Sequence, residues 1–237
     1  MTACLLALDS STERLALALR SPQGLFTAHE EGGAQSSARL LPALLQLLQQ
    51  GGSALEAVDA IAFARGPGAF TGLRTACAVA QGLAFGAGKP VLALDSLMLV
   101  AEDARRQLPG AGDIWVAMDA RMGEVYAGAY RWAEGWQVLQ APALYELDAL
   151  HARWQEAPPT VVAGSAIGAF GTRLLVGTAV LVPDERDRAG ALMQIAEQAW
   201  QRGEAQEAAA AMPLYLRDKV ALTTEERTAL RAAEGAR

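Results

Sequence analysis

A pattern of strand, polar turn and strand near the N-terminus occurs again in the middle of the sequence, and this repeat restricts the fold more than any other feature. In the first copy an apolar run ends at Asp9, and in the second an apolar run ends at Asp119. When these two aspartates are aligned, the alternating apolar residues after them also coincide: Leu15, Leu17 and Leu19 with Val125, Ala127 and Ala129. Alternation at period two predicts a β-hairpin in each copy. The spacing indicates a duplicated unit, although two unrelated hairpins would produce the same pattern.

Each predicted hairpin is followed by a helical pattern or a further apolar run, and both copies contain a strand that leads into glycine. Strands are predicted at residues 5–8, 15–19, 60–64, 91–94, 114–118, 125–129 and 160–163. Helices are predicted from residue 36 to Gly51 and at residues 71–85, 96–106 and 189–202, with Ser96 as the N-cap of the third. Residues 27–35 are polar and contain glycine, so we expect a loop there, and residues 109–112 have the composition of a linker.

The composition excludes several classes of protein. Hydrophobic residues make up 52% of the 237 residues and charged residues 19%, which is typical of a globular chain. No run of eighteen uncharged apolar residues occurs, so we expect no membrane span. The two cysteines, Cys4 and Cys77, cannot form a disulfide framework, and the N-terminus lacks the basic region of a signal peptide, so we expect a cytoplasmic protein. The net charge of −6 disfavours binding of nucleic acid without a partner.

The most specific motif is a glycine-rich run between a predicted strand and a predicted helix. It reads Gly66-Pro67-Gly68-Ala69-Phe70-Thr71-Gly72-Leu73-Arg74. Glycine in such a turn allows the backbone to approach an anion at the helix N-terminus. The run is neither a Walker A loop nor a Gly-x-Gly-x-x-Gly dinucleotide loop. Two interpretations stay open, an anion site and a tight turn, and the polar turn at residues 9–12 allows the same two.

No residue pattern indicates catalysis or a resident metal. His29 and His151 have no second ligand at the spacing of a metal site, and no Gly-x-Ser-x-Gly nucleophile motif occurs. We therefore assign no catalytic residue and no metal ligand.

The first predicted helix is apolar over much of its circumference. Its stripe consists of Leu40, Leu41, Leu44, Leu45 and Leu48, and Leu47 lies outside that stripe. A helix of this kind needs more than one partner. The small-residue helix at residues 71–85 can cover one side, and a second protein can cover the other, so the paired helices are a candidate interface.

Five segments form a combination that one protein family shares. They are residues 6–12, 36–42, 66–74, 118–126 and 213–221. With them the chain resembles, nearly from end to end, the TsaB (YeaZ) family of tRNA threonylcarbamoyladenosine biosynthesis proteins. The resemblance implies an α/β, duplicated RNase H-like fold of the actin/Hsp70-type ATPases, with two lobes that each contain a mixed β-sheet and helices. We expect the lobes at residues 1–108, completed by the helix at 189–202, and at residues 109–188, with a C-terminal segment and tail at 203–237.

The resemblance also implies a role without chemistry of the chain's own. TsaB is the non-catalytic paralogue of TsaD, which carries a His-x-x-x-His metal pair near the start of the first-lobe helix. Here residues 35–39 read Gln-Ser-Ser-Ala-Arg, without histidine. The family pairs with TsaD through first-lobe helices, and the ATPase TsaE joins the pair. The complex transfers a threonylcarbamoyl group to N6 of the adenosine beside the anticodon in tRNAs that read ANN codons. We therefore expect this chain to contact tRNA only as part of the complex.

The resemblance transfers two sets of residues to this chain. The remnant of a nucleotide cleft would contain Asp9, Ser10, Gly66, Gly68, Thr71 and Arg74. The TsaD interface would contain Leu41, Leu44, Leu45, Leu48, Thr75, Val79 and Leu83. We expect no intrinsic cofactor, with ATP or ADP acting only at the level of the complex.

Three alternatives remain at this point. An ATP-dependent small-molecule kinase or phosphotransferase of the same superfold would use Asp9 or Asp119 at a metal or as a base. A glycoprotease-like peptidase would need a nucleophile or metal that the sequence does not provide. The chain could also act as a homodimer through the same apolar helices when TsaD is absent.

Overall fold

The first part of the chain folds into a five-stranded mixed sheet with helices, as seen in a computed structural model that describes residues 3–33 and 36–217. Its strands are β1 (Leu5–Asp9), β2 (Arg14–Ser21), β3 (Gly24–Glu31), β4 (Ala60–Gly66) and β5 (Val91–Asp95). Its helices are α1 (Ser36–Gln50), α2 (Phe70–Ala87) and α3 (Ser96–Gln107). The strand order is β3-β2-β1-β4-β5, and we call this unit lobe 1.

The second part of the chain forms another five-stranded sheet, which we call lobe 2. Its strands are β6 (Asp113–Asp119), β7 (Glu124–Trp132), β8 (Trp136–Glu146), β9 (Val161–Ala163) and β10 (Val180–Val182). Its helices are α4 (Leu147–Glu156) and α5 (Ala166–Phe170), and α6 (Arg188–Gln201) follows. The strand order, β8-β7-β6-β9-β10, is the order of lobe 1.

The two sheets also agree in strand direction, and their hairpin registers differ by one residue. β1 is antiparallel to β2 and parallel to β4, and β6 is antiparallel to β7 and parallel to β9. Asp9 pairs with Ala16 on the neighbouring strand, and Asp119 pairs with Val125. The aspartates aligned in the sequence are each the last residue of the equivalent strand, β1 in lobe 1 and β6 in lobe 2. The prediction of a duplicated RNase H-like α/β fold is confirmed.

One apolar cluster joins the lobes. It combines Leu97, Val100, Leu192 and Ile195 from α3 and α6 with Ile114, Val116, Trp136 and Val182 from lobe 2. Helix α6 also packs on β1 and β2 of lobe 1, although it follows lobe 2 in the sequence. Burial of this continuous apolar surface stabilises the contact between the lobes.

Two local predictions need correction. Residues 27–31 belong to the edge strand β3 rather than a loop; the strand is polar because its side chains are largely exposed. Asp95, not Ser96, caps α3, because its Oδ1 accepts a hydrogen bond from the Leu97 N–H. Strands β8 and β10 and helices α4 and α5 were not predicted. The expectations for Gln35 and for the tail beyond residue 217 lie outside the described residues.

Within the described ranges, no helix combines the length and apolar character needed to cross a membrane.

Candidate functional site

A cavity of about 870 Å³ lies between the lobes, where β1, β4 and β6 end. Its walls are formed by the two β-hairpin turns, the glycine-rich run and residues 214–217. Residues from both hairpin turns face each other here: the Arg121 guanidinium lies 2.7 Å from the Glu13 carboxylate. The cavity corresponds to the cleft that the resemblance predicts between two RNase H-like lobes.

Asp9 is not free to hold a ligand in this cavity. The side chain is fully buried, and its Oδ2 accepts a hydrogen bond of 2.5 Å from Nε of Arg188, at the start of α6. Arg188 also pairs with Glu185 and donates to the Ser11 hydroxyl at 2.9 Å. Burial alone would lower the pKa of Arg188, but the carboxylates of Asp9 and Glu185 outweigh burial and raise it. The guanidinium is therefore a permanent internal cation for Asp9.

The glycine-rich run packs directly against the turn that follows β1. A Cβ on Gly72 would overlap the carbonyl oxygen of Ser10, and a Cβ on Gly68 would lie 2.5 Å from that of Ser11. The Ser10 hydroxyl donates a 2.7 Å hydrogen bond to the Gly72 carbonyl. Glycine is thus required here for helix–turn packing, so the tight-turn interpretation describes this part of the run.

The six residues predicted for a nucleotide cleft lie in three places. Gly68 lines the cavity, whereas Asp9, Ser10 and Gly66 are buried behind its wall. Thr71 and Arg74 are exposed residues of α2 and do not line it. The sequence-based placement is corrected accordingly: close packing, with the Arg188 ion pair at Asp9, buries three of the positions, and two others lie on the exposed side of α2. Nucleotide binding itself stays a prediction.

Arg74 instead takes part in an aromatic stack. Its guanidinium lies 3.8 Å from the centre of the Phe70 ring, and its Nε donates a 3.0 Å hydrogen bond to the Tyr215 hydroxyl. The Phe70 and Tyr215 rings are 5.2 Å apart. Cation–π and aromatic contacts of this kind fix the C-terminal segment on the N-terminal turn of α2.

Asp119 has the same backbone setting as Asp9 but a different surrounding. Each aspartate accepts a hydrogen bond at Oδ1 from the N–H two residues later, Ser11 in lobe 1 and Arg121 in lobe 2. The Asp119 side chain is 21% exposed, and its nearest cation, Arg121, is 3.5 Å away. Only the lobe 2 aspartate therefore faces the cavity.

A second polar contact between the lobes lies where β5 meets α3. The Tyr130 hydroxyl donates a 2.6 Å hydrogen bond to Oδ2 of Asp95. Burial raises the pKa of Asp95, although the hydrogen bond from Tyr130 acts in the other direction. Burial and the negative charge of Asp95 both raise the pKa of Tyr130. The tyrosine stays protonated and ties lobe 2 to the end of β5.

The candidate partner face lies on α1 and α2. Leu41 and Leu45 of α1 are 41% and 53% exposed, and α1 packs next to α2. Thr75, Val79 and Leu83 are half-buried. The placement of Leu44 and Leu48 on this face is corrected: both are buried in the lobe 1 core with Leu40 and Leu47. The buried face of α1 therefore includes Leu47, which does not belong to the predicted stripe. Leu41 and Leu45 lie on the exposed side of the helix.

No group of three or more His, Cys, Asp or Glu that could hold a metal occurs in the part of the chain that the structure describes. The two cysteines are buried, and burial raises the pKa of each thiol. Sequence reasoning missed Arg188, Tyr215 and Arg217 as cleft residues. No local pattern distinguishes Arg188, whereas Tyr215 and Arg217 lie in the segment 213–221 that contributes to the resemblance. All three contact groups more than ninety residues away in the chain.

Comparisons with known proteins agree with this architecture. A family model described as "TsaD: tRNA N6-adenosine threonylcarbamoyltransferase" matches residues 29–161. The chain is 34% identical to the tRNA threonylcarbamoyladenosine biosynthesis protein TsaB of Escherichia coli over 92% of this chain and 96% of that protein. It is 43% identical to TsaB of Haemophilus influenzae over 52% and 51% of the two chains.

A solved structure described as YeaZ from Pseudomonas aeruginosa matches 90% of this chain and all of that one, with 40% identity and a TM-score of 0.81. The identity over nearly the full length of the Escherichia coli protein confirms the resemblance seen in the five sequence segments. The chain therefore belongs to the TsaB (YeaZ) family of tRNA threonylcarbamoyladenosine biosynthesis proteins.

Proposed function

We propose that this chain is a non-catalytic partner subunit that binds TsaD through α1 and α2. Together with TsaE, the pair would transfer the threonylcarbamoyl group to N6 of the adenosine beside the anticodon in ANN-reading tRNAs. The observation that carries the proposal is the exposure of Leu41 and Leu45 on α1, which packs next to α2. Burial of such side chains against a partner is favourable, and an apolar patch on adjacent helices is typical of a protein interface.

The state of Asp9 supports the absence of catalysis by this chain alone. An ATPase or kinase of this fold would need a carboxylate at the end of β1 that can reach a metal or a nucleophile. Here Arg188 neutralises that carboxylate inside the protein. We therefore propose that nucleotide acts at the level of the complex and not in this chain's own cleft. The same neutralisation weighs against the kinase alternative.

Charge placed on the exposed helix face tests the docking proposal. The double variant L41E/L45E should lose co-elution with TsaD, because two buried carboxylates would have no partner charges in the interface. The matched control is L175E/L181E, which changes two leucines of lobe 2 with similar exposure, 59% and 42%. Co-elution of L41E/L45E at the level of the control would contradict the proposed interface. Circular dichroism of both variants checks that the fold is retained.

The same variants separate a homodimer from a TsaD complex. We propose that the isolated chain pairs with itself through this face when TsaD is absent. Light scattering of the wild-type chain should then show a mass that rises with concentration, and L41E/L45E should stay monomeric. A wild-type chain that is monomeric at all concentrations contradicts self-pairing without affecting the TsaD proposal.

The cellular role is tested by depletion of the chain in its own host, where we propose that it works in the cytoplasm. Threonylcarbamoyladenosine in bulk tRNA, measured by mass spectrometry, should fall and should return with the wild-type chain. It should not return with L41E/L45E. Return with that variant would mean that the face is dispensable for tRNA modification.

A further inference from the structure

We infer that residues 211–217, which we call the C-terminal strap, hold the two lobes at one fixed separation across the cleft. Arg217 is the strap residue that contacts lobe 2. The inference concerns this chain alone and does not depend on a TsaD complex. It rests on three sets of contacts: strap to lobe 1, strap to lobe 2, and the shared core at the base of the lobes.

The strap is attached to lobe 1 along α2 and the end of β4. The Ala211 carbonyl accepts hydrogen bonds from Gln81 Nε2 at 3.0 Å and from Cys77 Sγ at 3.4 Å. The Leu214 N–H donates a 2.7 Å hydrogen bond to the Arg65 carbonyl. A Cβ on Gly66 would lie 2.8 Å from the Leu214 carbonyl oxygen, so the strap lies directly on this backbone. Tyr215 adds the stack on Phe70 and Arg74.

The strap is attached to lobe 2 through one side chain. Arg217 pairs with Glu124 of β7 at 2.5 Å and donates through Nη2 to the carbonyl oxygens of Ala120 and Arg121, at 3.0 and 3.3 Å. The Arg217 side chain is only 14% exposed. An ion pair that is largely shielded from water and also bonds to backbone carbonyls constrains geometry far more than a surface pair does.

The turn that Arg217 contacts is conformationally unusual. Arg121 and Met122, with φ of 64° and 57°, are the non-glycine residues of the described chain in the left-handed region, and Gly123 follows at 80°. Such a backbone is unfavourable for residues with a Cβ and persists where surrounding contacts hold it. Arg217 adds hydrogen bonds to two carbonyl oxygens of the turn, besides the turn's own hydrogen bonds from Arg121 to Asp119 and from Glu124 to Arg121. The strap therefore joins lobe 1 to this turn and helps to hold the turn in its shape.

The base of the cleft is already fixed by the core that α3 and α6 share with lobe 2 and by the hydrogen bond between Tyr130 and Asp95. Any opening of the cleft must then be a rotation about this base. Because the strap crosses from Arg65 to Glu124, such a rotation has to break the Arg217 contacts. The lobes of this chain consequently form one rigid unit, with α2 held in a constant position relative to the lobe 2 turn.

Inter-lobe distances measured by electron spin resonance test the inference. Spin labels go on cysteines introduced at Ala78 of α2 and Gly168 of α5, both exposed. The native thiols are buried and have a raised pKa, so they react slowly and leave the new sites selectively labelled. The full-length wild-type chain should give one narrow distance distribution. Arg217→Met should add a second, longer distance in roughly a tenth of the molecules.

Two further variants keep the test decisive. Glu124→Gln removes the partner on lobe 2 and should produce the same second distance even where Arg217→Met folds poorly. Arg202→Met removes an exposed pair with Glu204 that does not join the lobes, and its distribution should match the wild type. A narrow, unshifted distribution in folded Arg217→Met and Glu124→Gln would overturn the inference. A wild-type chain that already shows two distances would overturn it as well.

Discussion

The two hairpin turns of this chain begin with equivalent aspartates, and these aspartates have opposite charge environments. Asp9 and Asp119 end equivalent strands, and each accepts a hydrogen bond from the N–H two residues later. Asp9 is buried and paired with Arg188, whereas Asp119 lines the cavity. The duplicated fold therefore places an aspartate at the end of the equivalent strand in each lobe. Residues from other parts of the chain decide the charge around that aspartate.

The source of the asymmetry is α6. This helix packs on β1 and β2 of lobe 1 and brings Arg188 to the end of β1. In the described chain, lobe 2 has no corresponding helix that brings a buried cation to Asp119. A chain that needed a carboxylate for chemistry in lobe 1 would keep that carboxylate accessible. Here it serves instead as part of a buried ion pair that holds α6 on the sheet.

The largest expected effect is removal of the lobe 1 cation. Arg188→Met should lower the free energy of unfolding by about 3–5 kcal/mol, because Asp9 would be left buried without a counter-charge. Asp119→Asn in lobe 2 should change it by about 0.5 kcal/mol or less. Urea unfolding of both variants checks the difference. The double variant D9N/R188M should recover much of the lost free energy of unfolding. Equal losses for Arg188→Met and Asp119→Asn would contradict the asymmetry between the lobes.

The next effect compares two helix glycines. Gly72→Ala in α2 should lower stability by about 1–3 kcal/mol or more, because the new methyl group overlaps the Ser10 carbonyl. Gly168→Ala in α5 has open space around its Cβ and should raise stability by about 0.4–1 kcal/mol through the unfolded chain. Thermal unfolding of both variants measures these two changes in stability. A tolerated Gly72→Ala would show that the helix can move away from the turn.

A pH-dependent effect is expected at Asp95, which ends β5 in lobe 1. Its folded pKa is raised by burial above the unfolded value, so the folded state binds more protons and its stability falls as pH rises through the folded pKa. Asp95→Asn should remove this contribution, at most about 1.4 kcal/mol per pH unit, and flatten the profile above pH 4. Urea midpoints between pH 4 and pH 8 measure it. An unchanged slope would mean that Asp95 has an ordinary pKa in the folded protein.

The smallest effect is expected for an exposed pair at the start of β6. A hydrogen bond and ion pair with Arg131 lower the pKa of Asp113, so the contribution is present above the unfolded pKa and is lost as pH falls through the folded one. Both side chains are more than one-third exposed, so water and salt screen the pair. Asp113→Asn should therefore shift the urea midpoint least of all, and about 1 M salt should abolish the shift. A salt-independent loss would indicate a buried role.

The repeat, most strands and the longer helices could be predicted from the sequence because their signals are local and periodic. Strand β3 could not, since its exposed edge position makes its residues resemble a loop. The candidate sites were predicted less well. The wrong placement of Leu44 and Leu48 arose because five leucines on α1 fit one stripe, while Leu47 and the sheet decide which side of the helix is buried.

The sequence by itself determined the duplicated fold, the family and the apolar character of the first-lobe helices, because each depends on spacing within short segments. Only the tertiary structure decided which leucines are exposed, that Arg188 neutralises Asp9 and that Arg217 joins the strap to lobe 2. The two arginine contacts join residues separated by about 90–180 positions, and such pairs leave no periodic trace in a single sequence. The exposure of the leucines depends on how α1 packs on the lobe 1 sheet and on α2. Charge and burial at a site are properties of the assembled chain, whereas the repeat and most of the strands follow from the pattern along the sequence.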